Sequence, residues 1–177
     1  MGERTLHEGH VIRLAVGRFV APDGTEFERE VVRHPGAVSV VPLHDDGTVT
    51  LVRQYRAALD TELLEIPAGK RDVLDEPPEV TAARELAEEV GLRADDLVPL
   101  GRFVNSAGFS DELSLVFLAT GLSEVPNDLQ GVEEEHMIVE RIPLADVPAM
   151  IADHRIVDAK TMIGLLLTLR RVAGEGG

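Results

Sequence analysis

The sequence predicts an α/β protein in which helices cover both faces of a mixed sheet, because strand patterns alternate with a few helical ones. At 177 residues the chain suits a single domain, and we find no repeat, low-complexity tract or linker that would divide it. Hydrophobic residues make up 44% of the chain and aromatic residues only 3%. The predicted core therefore consists of Val, Leu, Ile and Ala.

The first 34 residues predict an antiparallel β extension. Residues 10–21 alternate apolar and polar side chains, Pro22-Asp23-Gly24 suits a turn, and residues 25–34 form a return strand. A lone hairpin is only marginally stable in water. It therefore needs cover from the main body or from a second copy of the chain, and the sequence leaves both alternatives open.

Further strand patterns follow, and the first two of them predict a second hairpin around Asp45-Asp46-Gly47. Both of its strands are almost entirely apolar, as expected for strands that are covered on two faces. The predicted strands lie at 36–43, 48–56, 62–70, 97–106, 113–121 and 137–144. Two amphipathic helices are predicted at 144–153 and 158–172, with nothing in them to suggest chemistry, and the tail 174–177 is expected to fray.

A further helix is predicted to end at Gly91, which suits the position just after a helix. Pro77 and Pro78 suit its first turn, where a missing N–H costs little. At helical spacing, one side carries Val80, Ala83, Leu86, Ala87 and Val90, and the other side carries Glu85, Glu88 and Glu89.

Three glutamates on one side of a helix repel one another, and a hard divalent cation would reverse that cost. Such a cation beside a phosphate is suited to phosphoryl chemistry. The alternative is a solvated acidic face on an ordinary amphipathic helix, and the three charges alone favour that alternative.

Composition and charge argue against several classes of binding partner. The net charge of −15 argues against a nucleic-acid backbone or an anionic membrane as partner. The chain has no cysteine, no signal-peptide pattern and no apolar run of about 18 residues, so we expect a cytoplasmic protein. The six histidines show no paired spacing, which argues against zinc.

The residues around the glutamates resemble the Nudix box, in which a glycine and a distant glutamate precede Arg-Glu-apolar-x-Glu-Glu-x-Gly-apolar. The matching positions are Gly69, Glu76, Arg84, Glu85, Leu86, Glu88, Glu89, Gly91 and Leu92. One departure is that six residues, rather than the usual five, separate Gly69 from Glu76, so that Asp75 holds the regular place. The resemblance implies a Nudix fold, an α/β/α sandwich around a mixed sheet, over residues 35–173.

The resemblance also implies a metal site with Mg²⁺ or Mn²⁺, two to three ions per site. Its ligands would be Glu85, Glu88, Glu89 and the backbone carbonyl of Ala68, with Glu85 and Glu89 serving catalysis directly. Arg84 would orient Glu88, four residues further along the helix.

A water-positioning carboxylate must come from elsewhere in the chain. Glu133-Glu134-Glu135 precedes the last strand, where charge pattern alone equally fits a solvated turn. Similarity to ADP-sugar pyrophosphatases, in which a loop with such glutamates closes over the metals, favours Glu134 first and Glu133 next.

Features outside the box resemble the ADP-ribose and ADP-sugar pyrophosphatase subgroup. Residues 64–69 resemble the entry to its box, and Arg56 ends a strand whose arginine contacts the substrate phosphates there. In the loop 107–112, Gly108 and Glu112 would help to hold the substrate, although Ala107 replaces the usual proline.

In this subgroup the N-terminal strands are exchanged between two subunits. We therefore expect a homodimer in which Arg29 and Glu30 reach the adenine and ribose. The expected reaction is hydrolysis of ADP-ribose to AMP and ribose 5-phosphate. The alternatives are a Nudix hydrolase of another nucleoside diphosphate derivative (a sugar nucleotide, dinucleoside polyphosphate or nucleoside triphosphate) and a non-catalytic ADP-ribose sensor.

Overall fold

The computed structural model describes residues 2–126 and 137–175. The strands in these ranges are β1 Glu3–Glu8, β2 Arg13–Val20, β3 Glu26–Arg33, β4 Ala37–Pro42, β5 Thr48–Arg56, β6 Thr61–Glu65, β7 Ala68–Lys70, β8 Leu92–Val104, β9 Leu113–Glu124 and β10 Ile138–Pro143. The helices are α1 Pro78–Val90, a 3-10 turn Leu144–Asp146, α2 Val147–Ala152 and α3 Ala159–Glu175.

A four-stranded mixed sheet in the order β7-β4-β9-β8 forms the centre of the molecule, with β4 parallel to β9 and the other pairs antiparallel. Successive side chains of a strand point to opposite faces of the sheet, so each strand contributes to the hydrophobic cores on both faces. One face packs under α1 through Val38, Val40, Phe117, Ala119, Ala82 and Leu86. The other packs against α3 and a second sheet through Val41, Val116, Leu118 and Leu165. The predicted α/β/α sandwich is confirmed.

The second sheet is antiparallel in the order β10-β5-β6, so the hairpin predicted for 36–56 is wrong. Its turn forms, because the Gly47 N–H donates to the His44 carbonyl at 2.9 Å and Gly47 adopts a φ of 78°. The strands then separate and keep only the bridge between Leu43 and Val49. Both edges of β4 are already paired, with β7 and β9, so β5 must find other partners.

The single strand predicted for 62–70 is also divided between the sheets. β6 pairs with β5, whereas β7 pairs with β4, and Ile66 and Pro67 carry the chain from one sheet to the other. Proline has no N–H to donate, which suits this crossing point. The crossing places Glu65 and Ala68 at the junction of the two sheets.

The N-terminal extension has three antiparallel strands, β1-β2-β3, where the sequence predicted two. Every residue of β1 is exposed, which explains why its pattern gave no apolar signal. The end of β3 is covered by its own chain. The Val32 N–H donates to the Phe109 carbonyl at 2.7 Å, and Arg33 pairs with Asp111 at 2.9 Å.

The helix predicted to end at Gly91 forms as expected, but its faces differ from the prediction. Pro77 precedes the first turn, and Gly91 ends the helix in the left-handed conformation with a φ of 63°. Val80, however, is 49% exposed, whereas Glu89 is 6% exposed. Since α1 also packs across β7, its glutamate side turns towards the sheets instead of towards solvent.

The two C-terminal helical segments are confirmed, but α3 continues to Glu175, so half of the tail predicted to fray is helical. In the part of the chain that the structure describes, no helix has the length and apolar character that a membrane crossing requires.

Candidate active site

A cleft of about 900 Å³ opens between the ends of β5 and β6, the short strand β7, α1 and the start of α3. The junction of the two sheets forms its floor. Of the residues predicted for the site, the cleft brings together Arg56, Ala68, Arg84, Glu85, Glu88, Glu89 and Glu112.

One wall of the cleft carries the three glutamates of α1. Arg84 lies between two of them, and its Nη1 is 2.9 Å from a carboxylate oxygen of Glu85 and 2.8 Å from one of Glu88. Burial opposes the charge of Arg84, but the adjacent Glu85 and Glu88 outweigh it and raise the pKa of Arg84. Arg84 therefore stays cationic and relieves the repulsion between the two carboxylates.

The third glutamate, Glu89, is held by backbone. Its Oε2 accepts the N–H of Ala68 at 3.0 Å, and the side chain is almost fully buried. This bond connects the box helix to β7, where the chain has just crossed between the sheets. The contact fixes the carboxylate next to the predicted carbonyl ligand.

Gly69 lets β7 approach α1 closely. A Cβ added at Gly69 would stand 1.9 Å from Cδ of Glu85 and 2.1 Å from its Oε1. Only a residue without a side chain leaves the Glu85 carboxylate where it is.

The extra residue in the box loop is accommodated at Asp75. Asp75 is exposed and adopts a φ of 60°, a conformation uncommon outside glycine. Glu76 instead turns inwards, accepts from Thr81 Oγ1 at 2.7 Å and lies 3.7 Å from Arg84. Glu76 thus connects the loop to the helix.

The donor set of this wall fits a hard divalent cation, since it consists of carboxylates and backbone oxygens. Among the described residues, no three acidic or histidine side chains already converge in metal-binding geometry. Arg84 bridges Glu85 and Glu88 instead. A cation at these carboxylates would compete with Arg84 for them.

The opposite wall carries charged residues that the sequence analysis missed. Glu65 is 1% exposed, and Arg56 grips it with two hydrogen bonds, Nε to Oε1 at 2.7 Å and Nη2 to Oε2 at 2.6 Å. Lys160, in the first turn of α3, donates to the same Oε2 and lies 3.0 Å from Asp158. Asp158, Ala159 and Lys160 all line the cleft, although nothing in the sequence of the final helices suggested chemistry.

Glu65 is ionised despite its burial. Burial alone raises its pKa, but the hydrogen bonds from Arg56 and the charge of Lys160 outweigh burial and lower the pKa below its ordinary value. A signal was present in the sequence: Lys160 is one of only two lysines, and Glu65 interrupts an apolar run.

Three predicted residues lie outside the cleft of their own chain. Arg29 lies over the ring of Phe27 at 4.8 Å, and Glu30 and Gly108 are exposed. Glu133 and Glu134 fall outside the described residues. The roles of these five residues stay predictions.

The sandwich and its glutamate-lined cleft agree with a family comparison. Residues 33–163, most of the chain, match the model of the NUDIX domain. The chain belongs to the Nudix family.

Individual proteins resemble this chain over most of their own length. The chain is 40% identical over 166 residues to the ADP-ribose pyrophosphatase of Mycobacterium tuberculosis, covering 94% of this chain and 80% of the relative. It is 38% identical over 161 residues to the ADP-ribose pyrophosphatase of Bacillus subtilis, covering 91% and 86%. A solved structure described as an ADP compounds hydrolase superposes with a TM-score of 0.84 at 24% identity, over 99% of this chain and 94% of the other.

Proposed function

We propose that the protein hydrolyses the diphosphate bond of ADP-ribose, or of a related ADP-sugar, to AMP and a sugar phosphate in a reaction that requires divalent metal. One observation carries the proposal: the three box glutamates face a cleft whose opposite wall presents Arg56. Carboxylates on one side and a guanidinium on the other suit a metal-bound diphosphate. The substrate class is supported by the ADP-ribose pyrophosphatases that the chain resembles.

The metal site of the proposal consists of Glu85, Glu88, Glu89 and the Ala68 carbonyl. Mg²⁺ or Mn²⁺, two to three ions when bound, would neutralise phosphate oxygens and lower the pKa of the attacking water. The chain prepares this site with its own contacts: the Ala68 N–H fixes Glu89, Gly69 leaves space for Glu85, and Arg84 orients Glu88.

The remaining chemistry is positioning and proton transfer. Arg56 binds a phosphate of the substrate, and Glu112, which also lines the cleft, helps to hold the substrate. Water attacks one phosphorus atom and gives a proton to a carboxylate, for which we propose Glu134 or, next, Glu133. The bond from that phosphorus to the bridging oxygen breaks, and the bridging oxygen leaves with the other phosphate.

The same proposal assigns residues 1–34 to a dimer element and residues 35–173 to the Nudix hydrolase domain. Arg29 and Glu30 are exposed and do not line the cleft of their own chain, and apolar side chains on this sheet, such as Leu6 and Val20, are more than 40% exposed. In a homodimer, Arg29 and Glu30 would reach the adenosine part of the substrate bound by the partner.

A substrate panel tests the proposal. Purified protein is incubated with Mg²⁺ or Mn²⁺ and, separately, ADP-ribose, GDP-mannose, a dinucleoside polyphosphate and a nucleoside triphosphate. We expect AMP from ADP-ribose at the highest kcat/KM and no turnover after exhaustive chelation. Preferred turnover of the triphosphate would overturn the substrate, activity without metal would overturn the mechanism, and tight binding without product would support a sensor.

A further inference from the structure

The first turn of α3 forms hydrogen bonds with Glu65 and Ile66, just before the Nudix box begins at Gly69. The Thr161 hydroxyl accepts the N–H of Ile66 at 2.9 Å and donates to Asp158 Oδ2 at 2.6 Å, and Thr161 is fully buried. One residue earlier, Lys160 binds the Glu65 carboxylate. Two successive residues of α3 therefore fix the last residue of β6 and the residue that follows it.

This contact is an unusual use of charge. Taking a carboxylate and its cations out of water is costly, and apolar residues of similar volume often give equal or greater stability. Glu65 is nevertheless 1% exposed and Lys160 16%, whereas Arg56, the other cation bound to Glu65, is 35% exposed and lines the cleft. The buried Glu65 carboxylate thus supports Arg56, the more exposed of the two cations that bind it and line the cleft.

We propose that Lys160 is a positioning residue for substrate binding, which acts through Glu65 to hold Arg56 in the orientation that meets the diphosphate. This inference rests on the proposed function, in which Arg56 binds a substrate phosphate. Lys160 fixes Oε2 of Glu65, so the carboxylate cannot rotate and both of its bonds from Arg56 keep one geometry.

Lys160 also shares the charge of Glu65. A carboxylate that balances Arg56 alone would cancel its positive charge, whereas one divided between two cations leaves Arg56 more attractive to a phosphate. Asp158 lies 3.0 Å from Lys160 and offsets part of this charge, so the main contribution of Lys160 is the fixed geometry of Glu65.

A double-mutant cycle tests the inference. We expect Lys160→Met to raise the KM for ADP-ribose about tenfold, with a smaller change in kcat, as for a lost binding interaction. Arg56→Ala should raise KM at least as much, and adding Lys160→Met to Arg56→Ala should change KM no further. Lys160→Arg should restore most of the affinity because it keeps the cation.

Arg170→Met is the matched control, since it removes the same charge from the exposed far part of α3. We expect its KM to equal that of the unchanged protein, and the melting temperature of every variant is measured to exclude unfolding. Additive effects of Lys160→Met and Arg56→Ala would mean that Lys160 acts independently of Arg56, which overturns the inference. An equal rise in KM for Arg170→Met would overturn it too.

The positioning role of Lys160 and the proposed function would be overturned by different results. Normal turnover of ADP-ribose with an unchanged KM in Arg56→Ala would overturn both the positioning role of Lys160 and the phosphate contact of Arg56, and would leave the hydrolysis of ADP-ribose intact. No turnover of ADP-ribose by the unchanged protein would overturn the function. The same variants are then compared on the diphosphate that the panel identifies, where a missing coupling between Lys160 and Arg56 overturns the inference.

Discussion

Gly69 and Glu85 are so close that a methyl group on Gly69 would lie 1.9 Å from the carboxyl carbon of Glu85. The contact gives a steric reason for the glycine that opens the box. β7 must pass beside α1 so that Ala68 can donate to Glu89, and any side chain at Gly69 would displace the neighbouring carboxylate.

Gly69→Ala should therefore impair catalysis more than folding. The obstructing atoms are the end of a flexible side chain, so the Glu85 carboxylate moves and the backbone does not have to. We expect kcat to fall at least about tenfold and the metal concentration for half-maximal activity to rise, as for a misplaced ligand. The free energy of unfolding should change by about 1 kcal/mol or less.

Steady-state kinetics in a metal titration and chemical denaturation check this prediction. Gly174→Ala is the control, because a Cβ there meets no atom within 4 Å. Wild-type kcat in Gly69→Ala would show that Glu85 can move without loss and is not a ligand.

Two substitutions of Glu89 separate the effect of its charge from the effect of its hydrogen bond with Ala68. In Glu89→Gln the amide oxygen can still accept the Ala68 N–H, so folding should be preserved while metal binding and turnover are lost. In Glu89→Ala that N–H loses its partner at a partly buried position, which should cost about 1 kcal/mol of stability in addition. Isothermal titration with Mg²⁺ or Mn²⁺ and denaturant unfolding measure the two effects. Retained metal affinity in Glu89→Gln would remove Glu89 from the ligand set.

The buried carboxylate of Glu65 should make the free energy of unfolding depend on pH. Its pKa is lowered below 4.5 in the folded protein, because the hydrogen bonds from Arg56 and the charge of Lys160 outweigh burial, which raises it. A lowered pKa contributes stability that is present above the unfolded value of 4.5 and is lost as pH falls through the folded value.

Glu65→Gln resembles the protonated carboxyl, so its deficit relative to the wild type should be largest above pH 4.5 and shrink below it. Denaturant unfolding of both proteins across this range gives the difference. Other acidic groups with lowered pKa values, such as Asp111, are common to both proteins and cancel. A deficit that stays constant with pH would mean that the pKa of Glu65 is not lowered in the folded protein.

The sequence predicted best where chemistry is local. Pro77 and Gly91 define the ends of α1 through their own backbone preferences, and the turn at Gly47 formed for the same reason. The partners of β5 and the orientation of Val80 depended on which neighbours were already occupied, and a single sequence does not contain that information. Lys160 was missed because it lies 95 residues from Glu65 and meets it only through the fold.

The catalytic carboxylate predicted beyond the box is tested by single substitutions. We expect Glu134→Gln, or failing that Glu133→Gln, to lower kcat by at least about tenfold, the low end for loss of acid–base catalysis. The KM for ADP-ribose and the melting temperature should be close to those of the wild type, because the change removes only a charge. If both variants keep full kcat, the water is positioned by another group.

The predicted exchange of the N-terminal sheet makes a mixing experiment informative. Arg29→Ala should lose substrate binding in the partner's cleft, and Glu89→Gln should lose the metal in its own cleft. In a mixed dimer, one cleft combines intact Glu89 from one chain with intact Arg29 from the other. Random mixing makes half of the dimers mixed, so activity should recover to about a quarter of the wild-type value.

Light scattering first establishes whether the protein is a dimer, and the two variants are then unfolded together and refolded. A mixture that is no more active than the sum of its parts would mean that Arg29 does not contribute to the cleft of the partner subunit. The matched control replaces Arg29→Ala with Glu85→Gln. Glu85 and Glu89 belong to one chain, so no combination of the two subunits restores both residues to one cleft and no recovery is expected.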